Sequence, residues 1–198
     1  MKKVREDQII TELGKDVYIV DNFFTDDIID AVEKYVTELK YSISAHAGIS
    51  LLDHPEMPVK NWHPVLRHEM YYKGHLVDKA AVDIQKAIKE NISCDLYLTR
   101  MRVNVEFPLN RKPSKYDWHV DNGMYKDSNL HNISKAMVIY INTTNGYTEF
   151  KNKKLGKVYS VRNRALIFPG SLEHRGVCQK DYYARFVINV NYIPWYWE

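Results

Sequence analysis

The chain has 198 residues, 45% of them hydrophobic, with 28 Lys and Arg against 25 Asp and Glu for a formal net charge of +3. That length suits one domain with a substantial core, and the composition excludes a disordered or low-complexity chain. The charge is too small to argue for a nucleic-acid partner, although it leaves an anionic substrate open.

MKKVREDQII lacks the apolar core of a signal peptide, and the longest apolar runs, MVIYI at 137–141 and ALIF at 165–168, are too short to cross a bilayer. A cytoplasmic protein with no membrane partner is therefore expected. VYIV at 17–20 reads as a short strand. Thr25 followed by Asp26 and Asp27 is a helix start, with a capping oxygen and acidic side chains at the positive end of the helix dipole. Ile28, Ile29, Val32, Val36 and Leu39 then share one helical face. Residues 41–64, with Gly48, Pro55, Pro58 and Pro64, read as an irregular excursion, and the spacing of Leu76, Ala80, Ile84 and Ala87 or Ile88 predicts a second helix over Leu76–Lys89.

From residue 95 the helical period gives way to β-type runs near 95–107, 116–121, 135–142, 147–151, 157–161, 164–168, 174–178 and 184–192, with turn formers between them and a loop at 123–134. Eight short strands after two helices predict an α+β, mainly β fold. The expected architecture is a double-stranded β-helix, or jelly roll, with the N-terminal helices packed on one sheet. We expect a single domain over 1–198, helical to about 94 and jelly roll over about 95–192. Cys94 and Cys178 lack a CxxC partner and are expected as reduced thiols rather than zinc ligands.

The candidate chemistry begins in WHVDN at 118–122. Alternate side chains of a strand share a face, so His119 and Asp121 project together while Trp118 and Val120 project to the other side. Two ligands are too few for a metal site. His174, which opens a strand after the run RALIFPGSLE, is the third candidate. Two histidines and a carboxylate on a β scaffold form the facial triad of non-haem Fe(II), and zinc accepts the same donors. His46, His54, His63, His68, His75 and His131 fall in presumed loops or helix edges without a carboxylate in matching register, and are read as surface or packing residues. In ARFVINVN, Arg185, Val187, Asn189 and Asn191 share a face opposite Phe186, Ile188 and Val190. Arg185 then either meets solvent or sits on the floor of a polar cavity, where its planar fork binds a carboxylate.

His119-x-Asp121, His174 and Arg185 together resemble the signature of the Fe(II)/2-oxoglutarate-dependent oxygenases, and the chain is most similar to their prolyl-4-hydroxylase-like branch. The likeness covers roughly 95–192 and extends to the opening VYIVDNFFTDDIIDAVEKYV. The resemblance implies an iron held by His119, Asp121 and His174, and a 2-oxoglutarate whose far carboxylate is held by Arg185 and by Tyr140 in MVIYIN. Asn104 in RVNVEFP resembles a cosubstrate-contacting asparagine of the nucleic-acid demethylating branch. Two departures are plain: Gly146-Tyr147 replaces a Gly-Gly pair, and Phe107-Pro108 stands where relatives carry an aromatic hydroxyl. The implied reaction consumes O2 and 2-oxoglutarate, releases succinate and CO2, and hydroxylates an unactivated C–H bond, with ascorbate open as an accessory reductant.

The implied substrate is a peptide, a protein side chain such as a proline, or a small molecule, entering between 41–64 and 123–134. Arg111, Lys112 and Lys115 are candidates to meet an acidic group, and Tyr71, Tyr72, Tyr125 and Trp195 to Trp197 are candidates to line the site. Two other classes remain: a non-catalytic, cupin-like metal-binding roll, which has no need of Arg185, and a nucleic-acid oxidative demethylase, which the weak charge disfavours. Oligomeric state is not legible.

Overall fold

Two strands precede the first helix: Ile9–Gly14 (β1) and Val17–Asp21 (β2), paired antiparallel across the turn at Lys15 and Asp16. The computed structural model describes residues 1–38, 44–47, 64–92, 94–108, 115–121 and 133–195. Helix α1 spans Asp26–Glu38, opening on the expected acidic pair, with the Ile29 amide donating to the Thr25 carbonyl at 3.0 Å. Its buried face is Ile29, Val32 and Val36, with Ile28 partly buried beside them; Leu39 lies outside the described residues.

The N-terminal part is less helical than its sequence predicts. Ser44–Ala47 (β3) and Pro64–Tyr72 (β4) are strands, so the ends of the supposed irregular excursion belong to a sheet, and its remainder lies outside the described residues. His75 and Leu76 (β5) pair with Tyr72 and Tyr71, and α2 starts only at Ala80, running to Lys89. Asp78 explains the late start. Its Oδ1 accepts from the Ala80 amide at 2.8 Å, while Oδ2 accepts from the Tyr35 hydroxyl at 2.6 Å and bonds His68 Nε2 at 2.8 Å. His68 is therefore a buried β4 residue bonded to a carboxylate, not the loop residue predicted for it. Asp78→Ala removes the cap and the bonds to Tyr35 and His68, and is expected to cost about 2–3 kcal/mol in urea unfolding. Burial pushes the Asp78 carboxyl up, but the bonds from Tyr35, Ala80 and His68 outweigh it and hold its pKa below the ordinary value. That contribution is fully present above about pH 4 and is lost as pH falls through the lowered folded-state pKa.

The remaining strands are Asp95–Glu106 (β6), Lys135–Tyr140 (β7), Tyr147–Phe150 (β8), Lys157–Tyr159 (β9), Arg164–Pro169 (β10), His174–Val177 (β11) and Arg185–Trp195 (β12). They form a large sheet in the order β1-β2-β10-β7-β12-β6-β4-β3, with β5 on β4, and a small sheet β11-β8-β9. The jelly roll is thus as predicted. The strands that the sequence reading missed extend the large sheet at both edges.

Strand alternation divides the interior in two. Met101, Val103, Val105, Ile139, Phe186, Ile188 and Val190 face α1 and α2 in one core, which Phe107 also joins. Val138, Tyr140, Leu166, Phe168 and Val187 face the small sheet with Phe150 and Val158 in the other. Arg102, Asn104 and Glu106 alternate with the first set along β6, so they point into the roll; Arg185 and Asn189 do so along β12.

Candidate metal centre

No regular strand forms over 116–121. An extended segment instead lies along the free edge of β11, bridging at Lys115 with Val177 and at His119 with His174. The His119 and His174 amides each donate to the other's carbonyl at 3.0 Å. This reciprocal pair sets two imidazoles side by side, their ring centroids 4.4 Å apart. Two residues on, the Asp121 amide donates to the Gly170 carbonyl at 2.9 Å. The carboxylate turns back to the histidines, with Oδ1 3.8 Å from His119 Nε2 and Oδ2 3.7 Å from His174 Nε2.

The hydrogen bonds behind the rings suit a metal site. His119 Nδ1–H donates to the Asp117 carbonyl at 3.0 Å and His174 Nδ1–H to the Leu172 carbonyl at 2.9 Å, which turns both Nε2 atoms toward the carboxylate. Burial and the neighbouring His174 push His119 down to about 4, so its imidazole is neutral at ordinary pH. Burial raises Asp121, but His174, His119, Arg102 and Arg100 outweigh it and keep the carboxyl below its usual range. One ligand atom from each of the three residues falls within 4.8 Å of the others, the donor set of a facial triad. His174 is held from behind by Phe168, 4.6 Å away ring to ring, and by Phe150 at 6.5 Å.

Arg185 lies deeper in the roll and is 1% exposed. Its Nη1 donates to Glu106 Oε2 at 2.6 Å, in a pair directly opposed across β12 and β6. The carboxylate expected at Arg185 is thus partly supplied by the chain itself. The rest of the guanidinium has donors to spare: Nε has no hydrogen-bond partner and Nη2 reaches only Thr148 Oγ1, at 3.4 Å. Tyr140 is fully buried, donates to the same Thr148 Oγ1 at 2.9 Å, and has its ring 5.3 Å from the guanidinium. The walls of this chamber pack closely at Gly146 and Gly176, where a Cβ would lie 2.9 Å from Arg185 Cδ and 2.9 Å from the Tyr116 ring. An orphaned donor and two hydroxyls fit one end of a dicarboxylate.

Asn104 sits on the roll face of β6, opposite Val187 of β12, with Oδ1 buried and unbonded. Trp118 is on the outer side, stacked 4.0 Å from the Arg175 guanidinium. Lys115 is exposed and bonds Glu149 at 3.3 Å, so it faces away from the triad. Tyr71 packs on the helix-side core and Trp195 is exposed, so neither lines the chamber. Asn122, Arg111, Lys112, Tyr125 and Trp197 lie outside the described residues, as do His54, His63, His131 and the loop to residue 132. Glu106, Tyr116 and Thr148 were not anticipated; the alternation of Arg102, Asn104 and Glu106 in RMRVNVE was the available signal. Cys178 beside Tyr116 is an inert thiol, raised to about 12 by burial and by Glu106.

No family model and no curated protein matches the sequence. Solved structures do match the fold. An oxidoreductase of the 2OG-Fe(II) oxygenase family from Burkholderia pseudomallei superposes with TM-score 0.63 at 8% identity, over 89% of this chain and 84% of that one. A prolyl hydroxylase from Trichoplax adhaerens, solved with a hypoxia inducible factor peptide fragment, gives 0.58 at 15% identity, over 89% and 83%. The non-heme alpha ketoglutarate dependent epimerase of nogalamycin biosynthesis gives 0.58 at 8%, over 89% and 78%. At these identities the likeness is one of fold. The chain has the jelly roll of 2OG-Fe(II) oxygenases, and no helix among the described residues is long and apolar enough to cross a membrane.

Proposed function

We propose that this chain is an Fe(II)- and 2-oxoglutarate-dependent dioxygenase, a single-domain hydroxylase acting on a peptide, protein or small-molecule substrate. The observation that carries this reading is the convergence of His119, Asp121 and His174 in one jelly roll with a buried arginine, Arg185, whose Nε has no partner. His119 Nε2, His174 Nε2 and an Asp121 oxygen are the ligands for iron. The Nε and Nη2 side of Arg185, with the Thr148 and Tyr140 hydroxyls, takes the far carboxylate of 2-oxoglutarate. The bound iron and cosubstrate supply O2 activation with release of succinate and CO2, and so the oxidising power for a C–H hydroxylation. The protein's own work is positional. The backbone carbonyls of Asp117 and Leu172 fix both imidazole tautomers, Phe168 and Phe150 exclude water behind His174, and Glu106 orients Arg185.

A second reading has one observation on its side. Glu106 already gives Arg185 a carboxylate, as a metal-binding roll with no cosubstrate would. Anaerobic titration separates the two. Adding 2-oxoglutarate to the Fe(II)-loaded chain is expected to raise a weak visible charge-transfer band, and admitting O2 to yield succinate. Iron binding without the band would establish the metal-binding roll.

A further inference from the structure

Arginine is concentrated on one patch of the roll's inner face. Arg67 of β4 and Arg100 and Arg102 of β6 are all buried, and alternation turns them toward the small sheet rather than the helices. Register makes them neighbours: Arg67 is opposite Asn104, Arg102 is opposite Glu69 on one side and Asn189 on the other, and Arg100 is opposite Asn191. Glu69 bonds Arg100 through both oxygens, at 2.8 and 3.3 Å. Burial and the adjacent Arg100 and Arg67 pull Arg102 down to about 9, the response of like charges held together away from water.

Gathering like charges on adjacent strands and taking them out of water both cost stability, a cost that a bound anion offsets. Two further acceptors flank Arg102 on the same face: Asn104 Oδ1, on a side chain only 6% exposed, and Asn189 Oδ1 are both buried without a hydrogen-bond partner. Five polar side chains, with forked donors among them and two idle acceptors, form a surface for an anionic group that also carries N–H or O–H donors.

The patch is separate from the cosubstrate chamber. Arg185 opposes Glu106, whereas Asn189 opposes Arg102, four residues or about 13 Å further along both strands. Register sets the patch on the metal side of the roll: Phe168, 4.6 Å ring to ring from His174, is opposite Ala136, Ala136 is opposite Asn191, and Asn191 is opposite Arg100. Resting on the dioxygenase reading above, we propose that Arg67, Arg100 and Arg102, with Asn104 and Asn189, recognise the substrate, and that the substrate bears a carboxylate or phosphate group next to the carbon that is hydroxylated.

The test is calorimetric titration of the anaerobic chain, loaded with Fe(II) and 2-oxoglutarate, with benzoate, phenyl phosphate and the neutral benzamide. The visible band in the same samples reports whether the cosubstrate stays bound. Benzoate or phenyl phosphate is expected to bind and benzamide not, and the stronger of the two anions identifies the group. Arg102→Gln and Arg67→Gln should each weaken that anion at least tenfold with unchanged 2-oxoglutarate affinity. Arg67→Lys, which keeps charge and bulk but loses the fork, should fall between, and near-ultraviolet circular dichroism checks folding. Failure of both anions to bind, or equal binding by wild type and the Gln variants, overturns the proposal. Loss of the band in Arg102→Gln would assign the arginine to the cosubstrate and also overturn it. If wild type itself shows no band, the dioxygenase reading fails, while the same titrations on the Fe(II)-loaded chain still decide whether the arginines bind an anion.

Discussion

His174→Ala is expected to lower Fe(II) affinity by on the order of a hundredfold or more and to abolish succinate formation, as measured by anaerobic equilibrium dialysis and turnover. The imidazole supplies a ligand atom that no other described residue can replace, since the metal-ligating cluster there comprises only His119, Asp121 and His174. Removing the ring also leaves Phe168 and Phe150 facing a void, so a fall of about 1–3 kcal/mol in stability should accompany the loss. The two effects separate in Asp121→Asn, which preserves shape and packing but withdraws the anion. Wild-type iron affinity in both variants would exclude the triad as the metal site.

Arg185→Met carries the second large effect, and it is two effects in one. It leaves Glu106 as a buried, unpaired carboxylate, at a cost of about 3–5 kcal/mol in unfolding free energy. On the dioxygenase proposal it also removes the donors for the cosubstrate, which should weaken 2-oxoglutarate at least tenfold, given roughly 1.5–3 kcal/mol for hydrogen bonds to a charged group. The double variant Arg185→Met with Glu106→Gln should recover most of the stability and none of the 2-oxoglutarate affinity. Recovery of both would show that the arginine is structural. Iron affinity should stay close to wild type throughout.

The convergence of His119, Asp121 and His174 and the burial of Arg185 were legible because the pattern is compressed into a few residues, His119-x-Asp121 and two single positions on strands with clear alternation. The jelly roll was legible from the short apolar runs after residue 95. β4 was not, because Arg67 and Glu69 are polar residues turned into the roll, and a strand with polar side chains on its inner face loses the alternation that marks it. Leu76 matched a helical period yet became strand, because Asp78 caps α2 only beyond it. Glu106 was missed for a different reason. Its role depends on lying opposite Arg185 across two strands 79 residues apart in sequence, and register of that range is not written in any local pattern.

The reciprocal backbone bonds between His119 and His174 carry a consequence for metal selectivity. They are made by backbone groups that take no part in holding a metal, so the fold itself fixes how far apart the two imidazoles stand. A bracket of this kind does not reshape itself to favour iron. Binding strength then follows the general order of the divalent metals, in which copper and zinc outrank Fe(II). If the triad holds iron as proposed, which ion occupies the site is left to what the surroundings supply, and zinc is expected to compete for the same three ligands and to halt turnover.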